Sequence, residues 1–377
     1  MKTSVKSFVV LISCGLFACQ PGKQIIQGET GDLNTNKMYL CEVVSDYWKS
    51  HRAVDSADVI DGKFMFELEN VQPELYFLGD SPNHGGYFFL DGIKVQPENV
   101  TEEEIFWKVE GAFLDQKYRA FMEQWDEATF KQITDSLDAL FFQARDAGNR
   151  EEMARIKEES MHYYDEGRIR SDALVKEVLK KNKENSFGMY LYYYKQFQHK
   201  DFPTLEEITA EKAYVESFGA AAKNTRYLPW VMEKLGKYEG CAIGHEAPEI
   251  VGKDTLGNEL KLSDLRGNYV LVDFWNSYCH WCREETPALK RALEHFAGKN
   301  FKILGVSSDR VKKLWMDAIH EDGSYWDHLM LEKGDDVMDR YCIKGIPHII
   351  LVGPDGKILA KELRGQDLID VPDQFVK

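Results

Sequence analysis

Two thiols, Cys279 and Cys282, are the side chains best placed to do chemistry in this chain. They stand three positions apart in Asn276-Ser277-Tyr278-Cys279-His280-Trp281-Cys282. A largely apolar run over residues 269–274 precedes them and reads as a buried strand. An amphipathic segment over 283–296 follows and reads as a helix. Where a strand feeds a helix, thiols at this spacing can close a disulfide within the first helical turn. The first thiol sits at the helix N-terminus, where unpaired N–H groups and the macrodipole favour a thiolate. The pattern therefore predicts dithiol redox chemistry. Zinc is the weaker alternative, because no second Cys-x-x-Cys or His pair at ligand spacing accompanies the pair. No metal or cofactor is expected.

The elements that must hold this pair lie in the last third of the chain. A boundary is expected at 240–244, after which Ala247-Pro248-Glu249-Ile250 opens a new domain over 240–377. Strands are expected at 259–262, 269–274, 301–306, 328–331, 346–352 and 357–361. Helices are expected at 282–297, 311–320 and 335–341. Strands alternating with helices and closing on a hairpin at Pro354-Asp355-Gly356 imply a mixed α/β sheet.

The length of 377 residues implies two or three domains. An apolar fraction of 44% with 12% aromatics supports packed cores rather than disorder. The formal charge of −16 argues against nucleic acid and against docking on anionic lipid by charge. Residues 1–19 read as an export signal, with Lys2 and Lys6 before a short apolar run from Phe8 to Ala18. Leu16-Phe17-Ala18-Cys19 resembles a bacterial lipobox, with Cys19 as the lipidated residue. Cys14 is the alternative, but leaves too short an apolar stretch before it. A polar tether is expected over 20–32.

Seven cysteines are too few for a disulfide framework in a chain this long. Outside the signal, Cys279 and Cys282 are the only pair close in sequence. Cys41 and Cys241 read as structural or free. Cys342 lies five residues before Pro347. It is either a buried, inert cysteine or a third redox thiol that could take up glutathione.

Residues 33–113 read as short strands and turns, a small β-sandwich-like domain. Strands are expected at 38–43, 63–68, 74–78 and 87–90. The order Asp55-Ser56-Ala57, Asp61-Gly62-Lys63-Phe64, Val71-Gln72-Pro73-Glu74 resembles the N-terminal β domain of unknown function that precedes thioredoxin-like domains in many Bacteroidetes lipoproteins. Residues 114–239 read as helical. The tyrosines at 190, 192, 193 and 194 are either a ligand surface or a helix packed inside a bundle, and the packed helix is favoured.

The C-terminal segment resembles a thioredoxin-fold domain. More narrowly, it is similar to the membrane-anchored thiol–disulfide oxidoreductases of the cytochrome c maturation type. The matching residues are Ala247-Pro248, Leu262-Ser263-Asp264-Leu265-Arg266-Gly267, Val270 to Trp275, Cys279 with Cys282, Arg283-Glu284-Glu285-Thr286-Pro287 and Gly345-Ile346-Pro347. The resemblance implies Cys279 as nucleophile and Cys282 as resolving thiol. It implies Asp273 as a buried acid that takes the proton of Cys282, and Glu285 as a second acid that tunes the site. A cis-proline at Pro347 would expose the backbone of Ile346 to a substrate strand. His280-Trp281 departs from the dipeptides common in the family, which leaves the direction of electron flow open. Trp281 offers an apolar contact for substrate.

The expected protein is thus an envelope enzyme facing the periplasm. It would act on protein disulfides, take electrons from a membrane dithiol donor and hold the membrane through its lipid. Two alternatives stand beside it. A thiol peroxidase shares the Ala-Pro and Leu-Arg-Gly region, but peroxiredoxins carry Pro and Thr where this chain has Val272 and Asn276. A surface binding lipoprotein would carry the dithiol as a vestige.

Overall fold

The computed structural model describes residues 23–44, 51–69, 71–92 and 94–377. The expected export signal and the lipidation candidates Cys19 and Cys14 lie outside the described residues. The chain divides into two compact units, the second running from Lys195 to Lys377.

The first unit begins as two four-stranded sheets. One has the order Lys63–Glu69, Lys23–Glu29, Lys94–Val100, Ile105–Glu110; the other has His51–Asp58, Lys37–Val43, Leu75–Ser81, His84–Phe89. Lys63–Glu69 alternates buried and exposed residues along its length, as a strand with one wet face must. Ile26, Phe64, Phe66 and Trp107 from one sheet and Met38, Leu40, Leu78 and Phe88 from the other fill a shared core, which makes a sandwich.

The tether expected over 20–32 is corrected here. Within it, Lys23–Glu29 pairs antiparallel with Lys63–Glu69 and parallel with Lys94–Val100. Its sequence Lys-Gln-Ile-Ile-Gln-Gly-Glu buries little but Ile26, so no apolar alternation marks it. The backbone ladder on both sides holds it instead. Three helices follow, Phe113–Ala128, Lys131–Asp146 and Arg150–Asn182. Tyr190, Tyr192, Tyr193 and Tyr194 are all buried, so the cluster belongs to the packing.

The second unit opens with helices Leu205–Glu216 and Tyr227–Gly240. Thr204 and Glu207 form a reciprocal cap at the start of the former. A seven-stranded mixed sheet follows, in the order Glu259–Lys261, Val251–Lys253, Asp327–Met330, Phe301–Ser307, Tyr269–Trp275, His348–Val352, Ile358–Ala360. Tyr269–Trp275 runs parallel to Phe301–Ser307 and antiparallel to His348–Val352. The expected strands and helices of this unit are present, with Val251–Lys253 added at the edge and the short helix trimmed to Val337–Arg340.

Candidate active site

The strand Tyr269–Trp275 is buried from Val270 onward because both of its faces are covered. Val270, Val272 and Phe274 pack with Ile250, Leu304 and Tyr341 on one face. Leu271 packs with Ala288, Leu289 and Ala292 of helix His280–His295 on the other. Side chains alternate along a strand, so Asp273 and Trp275 share the helix side with Leu271. This register brings a carboxyl under the helix that carries the cysteines.

Asp309 holds the loop between strand and helix. Its carboxylate accepts from the Ser277 N–H at 2.9 Å and the Ser277 hydroxyl at 2.6 Å. The Ser307 hydroxyl donates to the same carboxylate at 2.8 Å. Asp309 is only 4% exposed, and these donors are what make a buried carboxylate tolerable. A further bond from the Ser308 N–H to the Trp275 carbonyl, 3.1 Å, ties the same two strand ends together.

Cys279 is the N-cap of the helix, and its sulfur accepts from the Cys282 N–H at 3.1 Å. The two sulfurs are bonded at 2.02 Å, with 5.2 Å between the Cα atoms. Their surroundings differ. Cys279 is half-buried, whereas Cys282 is 3% exposed and packs against Trp275, Trp315, Ala318 and Ile319. Tyr278 and Trp281 stand out on either side of Cys279, each more than two-thirds exposed. The exposed His280 ring lies 5.3 Å from that of Trp281. Arg283, one turn into the helix, forks onto Asp322 at 2.6 and 2.9 Å and reaches Glu321 at 2.8 Å. That pair fixes the helix start against the end of helix Lys312–Asp322.

The Ile346–Pro347 peptide bond is cis. Ile346 and Cys279 both pack against the buried cluster that contains Cys282. The Pro347 carbonyl accepts from the Arg364 guanidinium. Burial pushes the Asp273 carboxyl up to about 7; Arg364 opposes the shift and the nearby Glu285 adds to it. Glu285 is half-buried, and its carboxylate accepts from the Gly365 N–H at 3.0 Å. The strand, the helix and the segment 363–365 therefore meet at two carboxyls and one guanidinium. His348 fills a buried strand position, and burial lowers its imidazole to about 4.

The sequence points to Cys279, Cys282, Asp273, Glu285, Trp281, Ile346 and Pro347 as one site; the structure packs Cys279 and Ile346 against the cluster of Cys282, places Asp273 near Glu285, and leaves Trp281 and Pro347 as the chain neighbours of Cys282 and Ile346. It does not point to Asp309 or Arg364. Asp309 carries a usable signal, since Ser307-Ser308-Asp309 ends a parallel strand on the side where open α/β sheets gather functional groups. Arg364 carries none. Among the described residues no group of three or more His, Cys, Asp or Glu could hold a metal ion.

A cysteine-capped helix after a central strand, faced by a cis-proline loop on a mixed sheet, defines a thioredoxin-like domain. Residues 243–361 match the AhpC/TSA family. The thiol-disulfide oxidoreductase ResA of Bacillus subtilis is 29% identical over 121 residues, 32% of this chain and 67% of that protein. The thioredoxin domain of a thiol-disulfide oxidoreductase from Bacteroides vulgatus is 53% identical, covering 36% of this chain and 99% of that one, with a TM-score of 0.35. A thiol:disulfide interchange protein from Bacteroides sp. is 52% identical, covering 36% of this chain and 91% of that one, with a TM-score of 0.35. The chain belongs to the thioredoxin-like thiol–disulfide oxidoreductases, its family domain forming the last third. Its enzymatic activity is thiol–disulfide exchange, and its Cys-x-x-Cys pair is closed as a disulfide.

Proposed function

We propose that the protein reduces or exchanges disulfides of protein substrates in the cell envelope, with Cys279 as nucleophile and Cys282 as resolving thiol. The observation that carries the roles is the asymmetry of the two sulfurs. Cys279 is the accessible one and receives a backbone N–H, which in the reduced state stabilises its thiolate. Cys282 is enclosed beside Trp275, on the face of the strand that Asp273 shares.

The reaction then balances without a cofactor. A substrate strand lies along the Ile346 backbone beside Pro347, with Trp281 and Tyr278 against its side chains. The Cys279 thiolate attacks one substrate sulfur, the substrate S–S bond breaks, and the other sulfur leaves as a thiolate that takes a proton. Cys282 passes its proton to Asp273 and attacks Cys279, which expels the second substrate sulfur. An acid standing at about 7 suits this step, being neutral and charged in comparable amounts near neutral pH. Glu285 adjusts it through its charge. A membrane dithiol donor would restore the reduced pair.

The envelope address rests on Lys2, Lys6, the apolar run before Cys19 and the lipobox-like Leu16-Phe17-Ala18-Cys19. In this reading the lipid on Cys19 is the anchor; among the described residues no helix is long and apolar enough to cross a membrane. Cys279→Ser is expected to abolish reduction of insulin disulfides by the purified chain, and Cys282→Ser to accumulate a mixed disulfide. Full activity in Cys279→Ser sinks the assignment. Release of Cys19→Ser from the membrane fraction tests the anchor, and its retention there refutes it.

A further inference from the structure

A second pair of thiols meets behind the proline loop. Cys241 caps the C-terminal end of helix Tyr227–Gly240, and Cys342 lies in the loop that leads to Pro347. The two are far apart in sequence, yet Cys342 packs against the buried cluster that holds Cys241, close enough for each thiol to govern the other's ionisation. Cys241 is fully buried. The Lys361 ammonium stands 3.4 Å from its sulfur and donates to its carbonyl at 3.1 Å. Cys342 is half-buried and takes a left-handed backbone conformation, φ 55°, uncommon for a residue with a side chain. It lines a cleft of about 320 Å³ with Asp201, Lys344, Pro347, His348 and Arg364. The same cleft thus borders the cis-proline on one side and a cysteine on another.

We propose that Cys342 and Cys241 form a second thiol–disulfide exchange site, which accepts a low-molecular-weight disulfide of the glutathione class through this cleft. Cys342 is the receiving thiol because it is the one the cleft reaches. The hydrogen bond from Cys342 and the charge of Lys361 hold the Cys241 thiol down to about 7 against the opposing effect of burial. Cys342 keeps its proton in the resting pair, pushed well up by the neighbouring Cys241 and by burial, and yields it to the Cys241 thiolate only as it attacks. The Cys342 sulfur attacks one sulfur of the external disulfide as its proton passes to Cys241, that S–S bond breaks, and one external thiolate leaves and takes a proton from solvent. The Cys241 sulfur then attacks Cys342 in the mixed disulfide and expels the second external thiolate, which takes the other proton. Two protein thiols are oxidised to one disulfide, and one external disulfide is reduced to two thiols. Closing the bond would tie helix Tyr227–Gly240 to the proline loop, where Lys237 already pairs with Asp339 at 2.8 Å and Lys344 with Asp201 at 2.8 Å.

This site is independent of the roles given to Cys279 and Cys282, and the test keeps it so. The full chain carrying Cys279→Ser and Cys282→Ser is reduced, incubated with oxidised glutathione and mapped by mass spectrometry without reduction. The expected product is a peptide pair joined through Cys241 and Cys342, lighter by two hydrogens than the reduced form. Adding Cys241→Ser should halt the reaction with glutathione on Cys342. Adding Cys342→Ser should leave Cys241 unmodified. The same map on the unsubstituted chain guards against misfolding of the variants, and should show the same joined pair. Recovery of both cysteines as free thiols overturns the proposal. So does glutathione on Cys342 with no joined peptide when Cys241 is intact.

Discussion

Replacing Asp273 by Asn should change how the stability of the second unit depends on pH. The Asp273 carboxyl stands at about 7, against 3.8 for an ordinary aspartate. The gap of about 3 units, at about 1.36 kcal/mol each, amounts to about 4 kcal/mol. The sign follows from proton binding. Between these two values the folded chain holds a proton on Asp273 that the unfolded chain has released. Stability is therefore full below about pH 4, falls as pH rises, and has lost its whole share above about pH 7. Asn keeps the size and cannot ionise. The stability difference between the Asn variant and the parent should be flat below pH 4 and then grow by about 4 kcal/mol in favour of the variant by pH 8. Hydrogen exchange of the Tyr269–Trp275 amides in the intact chain, corrected for intrinsic rate, reads this unit separately from the other. A difference that stays constant from pH 4 to 8 would refute the buried-acid argument.

Further outcomes follow from the same geometry. Arg364→Met removes the cation that holds Asp273 down, so the midpoint of that pH-dependent difference should move upward; a downward move contradicts the electrostatics. Asp309→Ala strips the Ser277 N–H and hydroxyl of their acceptor. It should cost about 1–3 kcal/mol in urea unfolding and speed exchange at residues 276–279, whereas an unchanged loop would show that the anchor is idle. Gly305→Ala would place a Cβ 2.2 Å from His328 Nδ1, on a ring already bonded to the Ser324 carbonyl at 2.8 Å. The resulting overpacking should cost about 1–3 kcal/mol, read as a lower midpoint in urea; an unshifted midpoint would mean that the ring moves aside freely.

The parts of this site legible in the sequence are those written in local pattern. An apolar run, two thiols at its end and an amphipathic stretch fix strand, loop and helix in order, and the cysteines follow. Asp273 is picked out by the family resemblance, which sets an acid at that place in the run. The parts not legible depend on pairing across long stretches of chain. Asp309 serves a loop 32 residues before it, and Arg364 reaches back 17 residues to the proline carbonyl. Neither position breaks a local rule, so nothing in its own neighbourhood marks it. Lys23–Glu29 is similar, since a polar strand between two partners is held by backbone bonds that composition does not reveal. Cys241 and Cys342 each look ordinary alone, and only the fold sets one beside the other.

The unequal exposure of the two bonded sulfurs has a consequence for complexes with other proteins. A partner can become covalently attached at Cys279 but cannot reach Cys282, which is 3% exposed behind Trp275 and Trp315. In the proposed reaction, release by reduction is then an internal event driven by a group the partner never touches, whereas exchange releases the partner through its own second thiol. Along the reductive route the attacking thiol is the same for every partner, so dwell times there should differ through the leaving thiol rather than through the partner's shape.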